Sequence, residues 1–218
     1  MAQIFSRAAD TYLRVVLIGL GLLVVGLLLL AGGLVRSDYL TGVGKQIDQP
    51  VPFSHRHHAG QLGIDCRYCH DTVEVAASAG YPPTYTCMTC HSQVWTNAEA
   101  LAPVRRSLAT GAPLRWNRVH DLPDFVYFNH SIHVQQGVAC LECHGRVPEM
   151  VRIYQAETLH MSWCLDCHRH PAPHLRPPEA VFDFDWRPPK DAEALGLRLV
   201  AAQGIEPENL DSCYVCHR

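Results

Sequence analysis

No cysteine in this chain lies outside one repeated pattern, so none is left over for a disulfide framework. The chain also has no basic run or arginine-rich patch. Its 18 Lys and Arg stand against 21 Asp and Glu for a formal charge of −3, which excludes the electrostatic footprint of a nucleic-acid-binding protein. No charged residue falls between Val15 and Val35, and no small-residue cleavage site closes that apolar run, which argues against a removable signal peptide.

The ten cysteines form five Cys-x-x-Cys-His pentapeptides, Cys66–His70, Cys87–His91, Cys140–His144, Cys164–His168 and Cys213–His217. That motif attaches c-type haem. The thiols of Cys66 and Cys69, Cys87 and Cys90, Cys140 and Cys143, Cys164 and Cys167, and Cys213 and Cys216 add across the haem vinyl groups. The adjoining His70, His91, His144, His168 or His217 then binds the iron. Zinc ribbons and dithiol redox centres also use Cys-x-x-Cys, but neither demands a histidine after every pair. Five covalently attached haem c groups are therefore expected.

Five haems leave roughly 35 residues of extramembrane chain for each, too few to bury a conventional core. The haem faces must supply much of the buried apolar surface. The expected fold class is mainly α and irregular, with little regular sheet, and the 15 Pro and 15 Gly agree with it. Helices are expected over 95–108, opened by Thr96 or Asn97 and stopped by Gly111, and over 191–203, capped by Asp191 and stopped by Gly204. The proline-rich stretch 169–189 reads as an extended wrap.

Residues 15–35 are long enough for a transmembrane helix, about 32 Å against a hydrocarbon core of roughly 30 Å. The expected division is a cytoplasmic N-terminus at 1–14, the membrane span at 15–35, a linker at 36–52, and a pentahaem domain at 53–218. Haem is attached to such motifs on the outer face of a bacterial cytoplasmic membrane, so the haem domain is expected on the periplasmic side of a single-pass inner-membrane protein. Gly19, Gly26 and Gly33 recur every seven residues. Such a stripe lets another membrane helix approach closely.

The haem region contains an internal duplication. Phe53-Ser-His55-Arg-His57-His58 precedes Cys66, and Phe128-Asn-His130-Ser-Ile-His133 precedes Cys140. Both match Phe-x-His-x-x-His, and two haem motifs follow each. Di-haem units thus run over 53–91 and 128–168, with a fifth haem at 213–217. Histidines three apart on a helix share a face, so each can serve a different iron and hold two haems side by side. His55, His58, His130 and His133 are the expected distal ligands. His120, Met161 and Met150 are candidates for the remaining position, alongside His160; a Met/His haem sits at higher potential than a bis-His one.

The single N-terminal helix, the paired Phe-x-His-x-x-His units, the stretch 119–130 and the run Met161-Ser-Trp-Cys-Leu-Asp-Cys-His168 resemble the pentahaem cytochrome c subunit (ActA) of alternative complex III. The His pairs alone are shared with small c3/c7-type multihaem cytochromes. The resemblance implies an electron-transfer subunit of a quinol-oxidising respiratory or photosynthetic complex, itself without a catalytic site. It also implies polytopic membrane subunits, an iron–sulfur protein subunit, and a periplasmic electron carrier or an oxidase as acceptor. Two other classes compete: a self-sufficient NapC/NrfH-type quinol dehydrogenase, and a multihaem reductase with one catalytic haem. The first is expected to place haem motifs nearer the helix and to lack the His pairs, and the second to leave a distal position open.

Overall fold

The computed structural model describes residues 6–217, and the chain divides into two compact units, residues 1–43 and 44–218. In the first unit, helix α1 spans Arg7–Val35 and a short turn, α2, spans Asp38–Thr41. The Ser6 hydroxyl caps α1 by accepting from the Ala9 amide, which satisfies one of the orphan amides of the first turn. At the other end the Ser37 hydroxyl donates to the Leu34 carbonyl at 2.6 Å, and Arg36 reaches back to the Gly32 carbonyl at 3.2 Å. At 1.5 Å per residue the 29 residues extend about 43 Å, so the apolar part is long enough to cross a membrane. Its Leu, Ile and Val side chains are exposed along the whole length. A Cβ added at Gly19, Gly26 or Gly33 would meet nothing within 4 Å, so that stripe is open.

The second unit is built from short helices joined by irregular chain. They are α3 (Thr84–His91), α4 (Ala102–Thr110), α5 (His130–Gln135), α6 (Cys140–His144), α7 (Met161–Arg169), α8 (Ala192–Ala202), α9 (Pro207–Leu210) and α10 (Cys213–Cys216). Among the described residues the only β pairing is two isolated bridges, Gln46 with Tyr154 and Val138 with Leu175. The apolar core is small. Its main cluster is Val51, Leu101 and Val104, flanked by Cys87, Met88, Leu114 and Trp116. A core of that size is what a chain organised around apolar groups other than its own side chains would have.

Two expected helices take different bounds. The helix expected over 95–108 starts at Ala102, after a 3-10 turn at Glu99–Leu101, because Trp95 adopts a left-handed φ of 56° that no α-helix can include. It ends as expected at Gly111, whose φ of 71° suits the left-handed cap. The helix expected over 191–203 forms as α8, although Asp191 makes no side-chain cap bond. Arg169 closes α7, and the rest of the 169–189 stretch is irregular chain with 3-10 turns at Ala172–His174 and Pro178–Ala180.

A candidate haem-binding cluster

Each pentapeptide occupies a helical turn. The first is a 3-10 turn, Cys66–Tyr68, in which the amides of Cys69 and His70 donate to the Cys66 carbonyl at 3.2 and 2.8 Å. The others lie within α3, α6, α7 and α10, and in the last the His217 amide donates to Cys213 at 2.8 Å. A turn of helix places residues i and i+3 on one side, so the two thiols of each motif face the same way with the histidine next to them. The thiols of Cys140 and Cys143 are pushed up to about 12, chiefly by burial, so the free side chains are neutral. Among the described residues no three His, Cys, Asp or Glu gather as a metal-ion cage.

The two histidine pairs sit in different helices. His130 and His133 lie on α5, while His58 falls on a π-helical turn, Arg56–Gln61, with His55 at its N-terminal cap. The environment is nonetheless repeated. Phe53 stacks on His58 with centroids 4.3 Å apart and meets His55 edge-on at 4.9 Å. Phe128 stacks on His133 at 4.4 Å and meets His130 edge-on at 4.8 Å. The phenylalanine of the motif therefore fixes both imidazole planes.

The fold then brings each pair to the motifs. The His58 ring centroid lies 6.2 Å from that of His91, His133 lies 6.2 Å from His168, and His130 lies 6.3 Å from His144 with the planes 9° apart. Two imidazoles on opposite sides of one metal ion, each bonded at about 2.0–2.1 Å with about 1 Å more to its ring centre, have centroids about 6 Å apart. The three separations fit an iron held between the rings, so the residues suit the group. His55 completes the pattern near His70. Its pKa is lowered to about 4, first by burial and then by the proximity of His70, and its Nδ1 is buried without a partner.

Tautomers are set by backbone carbonyls, which can only accept. Nδ1 donates to Gly80 from His70 at 2.8 Å, to Val94 from His91 at 3.1 Å, to Leu210 from His168 at 2.9 Å and to Phe125 from His217 at 3.0 Å. On the paired histidines, His58 donates to Ser54 at 2.9 Å, His130 to Ala77 at 2.8 Å and His133 to Asn129 at 2.7 Å. With Nδ1 committed, Nε2 carries the lone pair in all seven, the arrangement a metal-ligating histidine needs. Burial also lowers the pKa of His58 and His133, and that of His144 to about 3, so these rings stay neutral.

The remaining candidates separate by position. The His120 ring is 4.3 Å from that of His144 and nearly perpendicular to it, closer than two rings flanking one metal ion, and its Nε2 is buried without a partner. Met150 is 3% exposed and packs beside Gly145, whereas Met161, at the start of α7, is 65% exposed. His160 is the residue before that helix.

Sequence reading missed one polar cluster. Glu142, inside the third motif, hydrogen-bonds His174 at 3.0 Å and lies 3.6 Å from the buried guanidinium of Arg176, which stacks on Trp186 at 4.9 Å. The hydrogen bond that His174 donates to Glu142 raises the His174 pKa. No spacing rule joins residues 32 positions apart, so only the fold reveals it.

No protein-family model matches the chain. The chain is similar to a multihaem cytochrome c. The relative is the multihaem cytochrome c subunit of the menaquinone reductase of Nitratidesulfovibrio vulgaris, 35% identical over 100 residues. The match covers 45% of this chain and 47% of the relative, so it spans about half the length of each. Motifs, similarity and the apolar helix together support a multihaem cytochrome c of electron transport with one helix long enough to cross a membrane.

Proposed function

We propose that the chain is a membrane-anchored pentahaem cytochrome c that conducts electrons as a non-catalytic subunit of a quinone-linked complex. The observation that carries the proposal is the set of ring pairs at 6.2–6.3 Å, each joining one motif histidine to one histidine of the duplicated pairs. Cys66, Cys69, Cys87, Cys90, Cys140, Cys143, Cys164, Cys167, Cys213 and Cys216 hold five haem c groups as thioethers. His70, His91, His144, His168 and His217 are the proximal ligands, and haem so bound supplies reversible one-electron chemistry at iron.

Within each unit the first paired histidine serves the first motif and the second serves the second. His130 faces His144 and His133 faces His168; His58 faces His91, and His55 is assigned to His70 by its burial beside that ring. The Phe53 and Phe128 rings hold these imidazoles in plane, and the carbonyls of Ser54 and Asn129 hold the Nδ1 protons. Both devices hold these imidazoles in one orientation, so that a haem bound between them would meet a fixed ligand set suited to reversible electron transfer. The fifth motif takes Met161 as its distal ligand. That residue lies one helical turn before Cys164 and shares its face, and Cys216 is near enough to raise the Cys164 thiol further, after burial.

A quinone-linked role follows the relative, which is a subunit of a menaquinone reductase. On this reading α1 spans the bacterial inner membrane, the haem domain faces the periplasm, and the partners are polytopic membrane subunits, an iron–sulfur subunit and a periplasmic carrier. The test is purification from gently solubilised membranes, followed by addition of a quinol. The haem c bands should reduce in the complex and not in the isolated chain. Reduction of the isolated chain would instead favour a self-sufficient quinol dehydrogenase.

A further inference from the structure

The five motifs are not arranged in chain order. The first and second are joined at the residues before their second cysteines, where the Tyr68 and Thr89 hydroxyls lie 2.6 Å apart. The first meets the third through the second histidine pair. The amides of His130 and Ser131 donate to Ala77 and Ala76 at 3.1 and 3.2 Å, and the Gln135 side chain donates to the Glu74 carbonyl at 2.8 Å, all on the loop after the first motif. On the other side, the Arg56 amide, next to His55, donates to Met150 at 2.9 Å, just past the third motif. The third and fourth share α5 through the His130–His144 and His133–His168 ring pairs. The fourth meets the approach to the fifth, since the His168 ring donates to Leu210 at 2.9 Å and Arg169 pairs with Asp211 at 3.1 Å. Among the described residues no hydrogen bond or ion pair joins 87–91 to 140–144, 164–168 or 213–217.

We propose that the haem groups form one series in the order second, first, third, fourth, fifth, so that the duplicated units meet head to head through their first motifs. The second and fifth motifs then stand at the two ends. This rests on the five-haem reading and adds an order to it. Adjacency along the chain would instead put the second haem against the third, and the bonds at Ala76 and Ala77 place the first motif there. A consequence is that a haem near the start of the sequence, the first, occupies an interior position and passes electrons between the units.

The experiment is to locate the irons in the intact holoprotein complex, by cryo-electron microscopy or anomalous scattering at the iron edge. The expected result is four nearest-neighbour contacts, second–first, first–third, third–fourth and fourth–fifth, with the second–fifth separation the greatest. Five irons with the second closer to the third or fourth than to the first would overturn the order and leave the haem assignment standing. Fewer than five irons at the motifs would overturn both.

Discussion

Replacing His133 by Ala tests a single proposed coordination bond. The ring stacks on Phe128 at 4.4 Å, donates Nδ1 to Asn129 at 2.7 Å, and stands 6.2 Å from His168. Losing the hydrogen bond costs about 1 kcal/mol and losing the ring stacking about 0.5–1.5 kcal/mol, so the fold loses roughly 2 kcal/mol and should survive. No cysteine or proximal histidine is touched, so haem attachment should be complete. On the proposed five-haem assignment one iron would lose its sixth ligand, and about a fifth of the low-spin signal should convert to high spin. Electron paramagnetic resonance and visible spectra of the oxidised variant measure this, with a haem-stained gel confirming full attachment. Unchanged spectra would refute the pairing of His133 with the fourth motif. High-spin conversion of two haems would show that the α5 histidines move as one body.

Met161→His should lower the potential of one haem and leave the other four in place, read by a redox titration; no change would remove Met161 from the coordination sphere. Glu142→Gln should weaken the fold mainly at acid pH. The bond that His174 donates to Glu142 raises the His174 pKa above 6.5, so its stabilisation is fully present below that value and is lost as pH rises through the folded-state value. The stability difference between wild type and variant should therefore be larger at about pH 5.5 than at about pH 8.5, with part of it kept at the higher pH because the buried Arg176 loses its carboxylate partner at both, and an equal difference at both would contradict the charge argument. Gly26→Leu should leave haem content and insertion unchanged but reduce the amount of intact complex in solubilised membranes, because the added side chain meets nothing in its own chain and fills the open stripe. Undiminished complex would remove the stripe from the interface.

Local spacing made much of the site legible. The cysteines at i and i+3 and the histidine at i+4 need only one helical turn, and all five motifs form one. The repeated Phe-x-His-x-x-His also reads directly, because the phenylalanine and both histidines of each copy interact within six residues. The partner of each histidine is another matter. His58 reaches His91 and His133 reaches His168 across more than thirty residues, and no periodicity encodes such a distance. The π turn at Arg56–Gln61 was also hidden, since its sequence offers the same face as the α-helix of the second copy. Trp95 shows the limit of capping rules, because a left-handed residue before Thr96 displaced the expected helix start by seven positions. The N-terminal helix long enough to cross a membrane needed only its uncharged length.

The central claim is that every Cys-x-x-Cys-His pentapeptide carries a covalent haem. Intact mass spectrometry of the membrane-extracted chain, after acid–acetone treatment to strip any loosely held haem, measures it directly. The account predicts one species heavier than the polypeptide by five haems, and no free thiol when the denatured protein is alkylated. A mass corresponding to the bare polypeptide, or thiols that alkylate at any of the ten cysteines, would contradict it.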